Sequence, residues 1–265
     1  MEKDEHTIFW GVPTMLKMME ASEKFRTVNL ERIRYFVIGG EAMPIPLIKT
    51  WADKGVPVRQ GYGLTEVGPN VTSLDHSDAI RKQGSIGTPN FFYDVKLVDA
   101  SGNEVGDNEI GEFILKAETV TPGYWKNDEA TKNTIRDGWF HTGDLMTRDE
   151  EGYYYVVDRI KNMYISGGEN VYPAEVEHLI MQLDDVKDVA IIGVPHPKWG
   201  ETGKAFIVKK EGSNITQQQI IDYCIENLAK YKTPQFVEFL DALPVNNAGK
   251  IDRKSLRDAE KKKLV

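Results

Sequence analysis

The sequence predicts an α/β region, then an antiparallel barrel-like β region, then a compact α+β unit. Three observations lead there. Residues 1–84 alternate short β-branched runs with helical patterns, the rhythm of a parallel sheet with helices on its faces. From Gly84 the pattern switches to alternating strands broken by turns, as in antiparallel β or a small barrel. Beyond Asp158, helices with one apolar face are interleaved with continuous apolar strands. The boundary falls near Lys161, which gives parts at 1–160 (1–84 α/β, 85–160 barrel-like) and 161–265.

In chain order, Ile8–Val12 reads as a strand, and Pro13 suits the first turn of a helix through Met15, Leu16, Met18 and Met19. Ile33–Ile38 is a strand that ends in Gly39-Gly40, Pro46–Lys54 is a helix stopped by Gly55, and Val56–Gln60 is a further strand. Parallel sheets place ligands at the carboxyl ends of their strands, so the loops after Ile38 and Gln60 are the places to look. Tyr93–Asp99, Glu109–Ala117 and Gly152–Asp158 are the antiparallel strands, the first two joined by a turn at Ser101-Gly102-Asn103. In the last part Pro173 opens a helix with Val176, Leu179, Ile180 and Leu183 on one face. Val189–Val194 and Ala205–Val208 are buried strands, Thr216 caps a helix reaching Ala229, Phe236–Leu240 is a strand, and Arg253–Lys263 is a charged helix.

Composition excludes several classes. The chain has 265 residues, with 41 acidic and 33 basic side chains and a net charge of −8, which argues against nucleic acid as a partner. A single cysteine, Cys224, rules out an intramolecular disulfide and a Cys-cluster metal site. Its neighbours Ile221, Ile225 and Leu228 mark it as a buried core thiol. No His pair has metal-ligand spacing, and no apolar run approaches the roughly 20 residues of a membrane span. Met1-Glu-Lys-Asp-Glu is no signal peptide, so the cytoplasm is the default location. The chain runs from these residues straight into Thr7–Val12 without an opening strand–loop–helix unit, as a fragment lacking an N-terminal portion would.

Four segments hold chemistry-bearing residues in loops. In Gln60-Gly-Tyr-Gly-Leu-Thr-Glu-Val-Gly68 the glycines allow close backbone approach, Tyr62 offers a ring to a base, and Thr65 and Glu66 offer oxygens to a phosphate and its Mg²⁺. The alternative is a plain strand-to-helix turn. In Asp137-Gly-Trp-Phe-His-Thr-Gly-Asp-Leu145 a carboxylate beside a glycine turn suits ribose hydroxyls; the alternative is a hairpin with a capping Asp. Asp158-Arg-Ile-Lys-Asn-Met-Tyr-Ile-Ser-Gly-Gly-Glu-Asn170 reads as a hinge and a ligand-hugging loop, or as a hairpin with a solvated edge. Asn246-Asn-Ala-Gly-Lys-Ile-Asp-Arg-Lys254 offers an ammonium to a phosphate, or merely an exposed turn lysine. A fifth segment, Gly39-Gly-Glu-Ala-Met-Pro44, is a strand-end turn able to line a purine or acyl slot, or a simple turn and no more.

Together, and in this order, these segments resemble the adenylate-forming superfamily of acyl-CoA synthetases, peptide-synthetase adenylation domains and firefly luciferase. Tyr62–Glu66, Gly123-Tyr-Trp125 with Glu129-Ala-Thr131, Gly138–Asp144, Asp158-Arg159 with Gly167-Gly168, and Gly249-Lys250 follow the family's order. Val12-Pro-Thr-Met15, Gly84-Ser-Ile-Gly-Thr-Pro89 and Tyr172–Glu177 look most like fatty-acid–CoA ligases. The resemblance implies a large AMP-binding domain followed by a mobile small one. It implies ATP, Mg²⁺ and CoA as substrates or cofactors, and a medium- or long-chain fatty acid as the acid. Tyr62, Gly63, Gly40, Glu41 and Ala42 would line the nucleotide and acyl site. Thr65 would bind phosphate, and Glu66 would hold Mg²⁺. Asp144 would take the ribose, Arg159 would support the nucleotide, and Lys250 would serve adenylation. Lys161 would be the hinge, and Gly167 and Gly168 would line the thiol channel.

The family's Ser/Thr/Gly-rich phosphate loop does not precede these motifs. The resulting expectation is a C-terminal half only. Residues 1–84 would be an α/β remnant, part of the large domain would be missing, and the chain would be inactive alone. The alternatives are a non-catalytic binding fragment and an adenylation domain for another carboxylic acid. A homo-oligomer is retained among the partners.

Overall fold

The computed structural model describes residues 6–246 and 249–263. Met1–Glu5, and Asn247 and Ala248 of the Gly249-Lys250 motif, lie outside the described residues. The chain divides into two compact units, Met1–Val156 and Val157–Val265.

The first unit opens with β1 (Ile8–Gly11), α1 (Pro13–Glu20), β2 (Tyr35–Ile38), α2 (Ile45–Asp53), β3 (Val58–Leu64), β4 (Gly68–Ser73) and β5 (Thr88–Pro89). They form one five-stranded sheet in the order β1-β2-β3-β4-β5. The first three strands are parallel and the remainder antiparallel. Prolines near the start of α1 and α2 pre-set the helical φ where no backbone donor is needed. Side chains alternate across the pleat. Phe36, Ile38 and Val58 face Leu16, Ile48 and Trp51 in a closed core, with the Phe36 and Trp51 rings edge-on at 4.9 Å. Each such large side chain contributes about 1.5–3 kcal/mol by leaving water. Trp10 remains 65% exposed. The expectation that residues 1–84 are an α/β remnant is corrected here: Ile8–Pro89 build a continuous sheet with a helix-covered core of their own.

One strand runs further than its sequence suggests. β3 does not stop at Gln60 but continues through Leu64 and turns at Thr65–Val67 into β4. Tyr62 and Leu64 pack on the core of the following sheet, which rewards the extension. The turn is therefore a hairpin, not a strand-to-helix loop. Gly63 makes it possible, because a Cβ there would lie 2.6 Å from the Gly68 carbonyl oxygen.

The unit continues with β6 (Asp94–Val98), β7 (Gly111–Lys116), α3 (Asp128–Thr134), β8 (Ile135–Arg136), β9 (Trp139–Arg148) and β10 (Tyr154–Arg159), whose end crosses into the second unit. Where a barrel-like closure is expected, the order β10-β9-β7-β6, with β8 on β9, leaves two edges among the described residues. Val67 and Val71 of the β3–β4 hairpin share a core with Phe113, Leu115, Met146 and Tyr154 of this sheet. That shared core is what brings two distant sequence motifs together.

The second unit comprises β11 (Tyr164–Ser166), β12 (Glu169–Val171), α4 (Pro173–Ile180), β13 (Val186–His196), β14 (Gly200–Lys209), α5 (Gln217–Asn227), β15 (Phe236–Phe239) and α6 (Arg253–Lys263). The sheet order is β12-β11-β14-β13, with β15 parallel to β14. One face packs Ile191 and Ile207 on Val176, Ile180, Ile220 and Cys224; the other packs Ile192 and Phe206 on Leu256 of α6. Thr216 and Gln219 form a capping box at the start of α5. Cys224 is fully buried, and burial pushes its thiol up to about 11.

Candidate active site

The β3–β4 hairpin and a bulge in β9 meet in the first unit. Along β7–β9, Glu112 pairs with Leu145 and Ile114 with His141, so Thr142, Gly143 and Asp144 all stand opposite Phe113. Such bulges re-aim a side chain. Gly143 accommodates the bend at φ +70°. Asp144 is buried, and its Oδ2 accepts a 2.5 Å hydrogen bond from the Tyr62 hydroxyl. The Tyr62 ring stands edge-on to Phe113 at 5.7 Å. A base platform and a ribose-type acceptor predicted from separate motifs are thus joined directly.

At the tip of the hairpin, Thr65 is exposed and Glu66 half-buried. Glu66 Oε1 accepts from the Tyr124 hydroxyl at 3.1 Å, and its carbonyl accepts from Thr121 N at 2.7 Å. Burial, then the Glu66 carboxylate, pushes the Tyr124 hydroxyl up, so it stays a donor. Tyr124 N donates in turn to Thr131 Oγ1 at 2.9 Å. The Gly123–Thr131 segment, recognised above only as part of a pattern, therefore supports Glu66. One carboxylate beside phosphate oxygens and water fits the octahedral, oxygen-only demands of Mg²⁺.

The loop after β2 is held by a residue that sequence reasoning passed over. Gln60 is buried, its Oε1 accepts from Met43 N at 2.9 Å, and its Nε2 donates to the Ser85 carbonyl at 3.4 Å. Gly40, at φ +86°, and the exposed Glu41 and Ala42 run just before that anchor. The clue was a polar residue at an inward position of a strand; its partner could not be read.

In the second unit, Asp158 organises the turn that carries Lys161. Its Oδ1 accepts from Arg159 N and Asn162 Nδ2 at 2.7 and 2.9 Å. Its Oδ2 accepts from Ala174 N at 2.8 Å, in the first turn of α4. Arg159 and Lys161 are exposed. Gly167 and Gly168 form the two-residue turn of the β11–β12 hairpin, both at positive φ. Lys250 lies on a hairpin closed by the Val245–Ile251 bridge, and its backbone is bonded both ways to Asn246. Three residues on, Arg253 Nη2 donates to both oxygens of the Glu177 carboxylate, at 2.7 and 2.6 Å.

A buried carboxylate bonded to a tyrosine on a glycine hairpin lies in the first unit, and an exposed lysine beside a β-bridge lies in the α+β unit. The chain belongs to the AMP-binding enzyme family. The AMP-binding enzyme model matches residues 1–125, and the AMP-binding enzyme C-terminal domain model matches residues 175–250.

Among its relatives, a feruloyl-CoA synthase from Amycolatopsis is 44% identical over 257 residues, which are 97% of this chain and 52% of that protein. A long-chain-fatty-acid–CoA ligase, FadD13, from Mycobacterium tuberculosis is 42% identical over 94% of this chain and 49% of its own length. Among solved structures, ATP-bound MatB from Rhodopseudomonas palustris superposes with a TM-score of 0.89 at 34% identity, covering 96% of this chain and 50% of that one. The o-succinylbenzoate-CoA synthetase MenE from Bacillus subtilis, in complex with its acyl-adenylate intermediate, gives 0.87 at 35% identity, covering 97% and 52%. The chain spans about half the length of the curated relatives it matches.

These matches correct the expectation of a C-terminal half only. Both of the family's domain models fall on this chain, over residues 1–125 and 175–250. The missing large-domain portion, and the inactivity inferred from it, rested on two absences, of a phosphate loop and of an opening strand–loop–helix unit. They are withdrawn from the fold, function and partner readings. Among the described residues no helix is long and apolar enough to cross a membrane.

Proposed function

We propose that this chain provides the nucleotide site and the small domain of an ATP-dependent acid–CoA ligase. The carboxylate oxygen of the acid attacks the α-phosphorus of ATP, and the bond to pyrophosphate breaks. The sulfur of CoA then attacks the acyl carbonyl and AMP leaves, its oxygen keeping the bonding pair. The observation supporting this reading is the Tyr62–Asp144 hydrogen bond, which couples a base platform to a ribose acceptor.

In this reading Tyr62, Gly63 and the Gly40–Ala42 loop receive the adenine and the acyl group. Asp144 accepts the ribose hydroxyls, and Arg159 supports the nucleotide. Thr65 donates to a phosphate oxygen, and Glu66, oriented by Tyr124, holds Mg²⁺. Bound Mg²⁺ offsets phosphate charge as the pyrophosphate departs. Lys250 supplies a further positive charge in the first half-reaction. Lys161 is the pivot for the second, in which Gly167 and Gly168 border the path of the thiol.

The test is calorimetric titration of AMP and ATP, with ATP–pyrophosphate exchange measured across fatty and aromatic acids. Micromolar nucleotide binding that Asp144→Asn weakens supports the reading. Binding indifferent to that substitution rejects it.

A further inference from the structure

We propose that Glu112 is a positioning residue that holds the Asp144 carboxylate in place for the ribose, acting through the backbone of Gly143. The proposal rests on the reading of Asp144 as the ribose acceptor. A bulge withdraws backbone groups from the strand ladder, and a withdrawn N–H inside a protein must find another acceptor. Here Gly143 N donates to Glu112 Oε1 at 3.1 Å. The other oxygen, Oε2, lies 2.8 Å from His141 Nδ1. Arg136 Nη2 lies 2.6 Å from that same His141 Nδ1 and 3.7 Å from Glu112 Oε2, whose charge it offsets. Thr142 completes the arrangement: its hydroxyl donates to the Phe113 carbonyl at 2.6 Å and accepts from Asp144 N at 3.1 Å.

Residues 141–144 are thus each tied, directly or through a neighbour, to Glu112 or Phe113 of β7. Glycine is the residue with most conformational freedom to lose, so Gly143 left untethered would let the Asp144 side chain swing. Glu112 is only 15% exposed at its side chain, and its contact with the Gly143 N–H is charge-assisted, about twice as strong as a neutral one. Glu112 itself is separated from the proposed ribose contact by Gly143, so its effect is on geometry and not on chemistry.

The experiment measures the affinity of the purified chain for AMP and for 2′,3′-dideoxy-AMP. Their ratio isolates what the ribose hydroxyls contribute, and a merely structural role would weaken both ligands alike and leave it unchanged. The unaltered chain is expected to favour AMP by about 10-fold or more, the scale of hydrogen bonds to a charged acceptor. Glu112→Ala is expected to lower that ratio by about 10-fold, toward one. Glu112→Gln retains an acceptor for Gly143 N, and its amide can donate to His141 Nδ1 once the imidazole takes its other tautomer, so it is expected to stay within about 3-fold of the unaltered ratio.

Should Glu112→Ala fail to fold, Glu112→Asp carries the same expectation. It keeps the charge but is one methylene too short to span Gly143 and His141. Full discrimination in the Ala or Asp variant, with loss in Asp144→Asn, overturns the positioning role and leaves the ribose reading standing. A chain that does not bind AMP, does not discriminate, or discriminates as well with Asp144→Asn overturns the ribose reading and this inference with it.

Discussion

Two glycine-supported bends in this chain are built in opposite ways. The bend at Gly143 is braced from two directions: Tyr62 bonds Asp144 from β3, while Glu112 and Phe113 hold Thr142 and Gly143 from β7. The bend at Gly167-Gly168 is a two-residue turn with both residues exposed, and the Lys161 and Lys250 side chains likewise project from exposed turns. A braced, buried carboxylate is fixed before any ligand arrives, whereas an exposed turn opens at little cost. The Tyr62–Asp144 pair thus lies on buried geometry braced by side chains, whereas the Gly167-Gly168 turn is exposed and tied through its backbone, Gly167 N donating to the Trp199 carbonyl at 2.9 Å.

The contrast is sharpest with Lys250→Ala. In the active enzyme it is expected to slow ATP–pyrophosphate exchange by roughly 10²-fold, the scale of one lost transition-state charge contact. Thioester formation from supplied acyl-adenylate should remain within about 3-fold, since the second step does not ask for this ammonium. Equal slowing of both steps would break the division. Lys161→Pro locks φ near −65° in the proposed pivot. Single-turnover assays should show CoA transfer reduced by about 10-fold or more while adenylation persists, with circular dichroism confirming the fold.

Asp144→Asn tests the braced side. Losing a charged acceptor is worth about 1.5–3 kcal/mol, so AMP affinity measured by calorimetry should fall by roughly 10- to 100-fold. Tyr124→Phe is a milder perturbation. It removes only the hydroxyl that orients Glu66, and should raise the Mg²⁺ concentration for half-maximal exchange by about 3- to 10-fold, near 1 kcal/mol. The smallest effect separates neighbours. A Cβ on Gly167 would lie 2.7 Å from the Trp199 ring, whereas a Cβ on Gly168 meets nothing within 4 Å. Both substitutions strain a positive φ, but Gly167→Ala should cost about 1–3 kcal/mol more in a denaturant titration through overpacking. Equal losses would mean the ring moves aside freely.

Local pattern was enough to read most strands and helices. Pro13, Gly55 and Thr216 punctuate the chain where the backbone turns, and the apolar spacing of Val176 and Ile180 places α4. What escaped was non-local. Tyr62 and Asp144 are 82 residues apart in sequence, and no local rule pairs them. Tyr124 and Glu66 are 58 apart, and Gln60 finds its partners in two other segments. β3 outran its expected end because Tyr62 and Leu64 gain a core supplied by strands that follow much later. The fragment reading failed for a related reason: it weighed an unseen loop and an unseen opening unit above the two domain patterns that the chain carries.

The bulge in β9 has a consequence for chain length. Four steps from His141 to Leu145 lie opposite two steps from Glu112 to Ile114, so the strand contains a surplus of two residues. An even surplus leaves the inward and outward alternation unchanged on both sides. Loss of any single residue among Thr142, Gly143 and Asp144 would reverse that parity. It would turn either buried Phe140 or buried Met146 toward the opposite face of the sheet. Loss of two would restore a straight ladder and spare the core while erasing the bend that aims the carboxylate. By this parity a paired deletion would leave a well-packed strand that no longer presents its acid, whereas a single one would unpack the core.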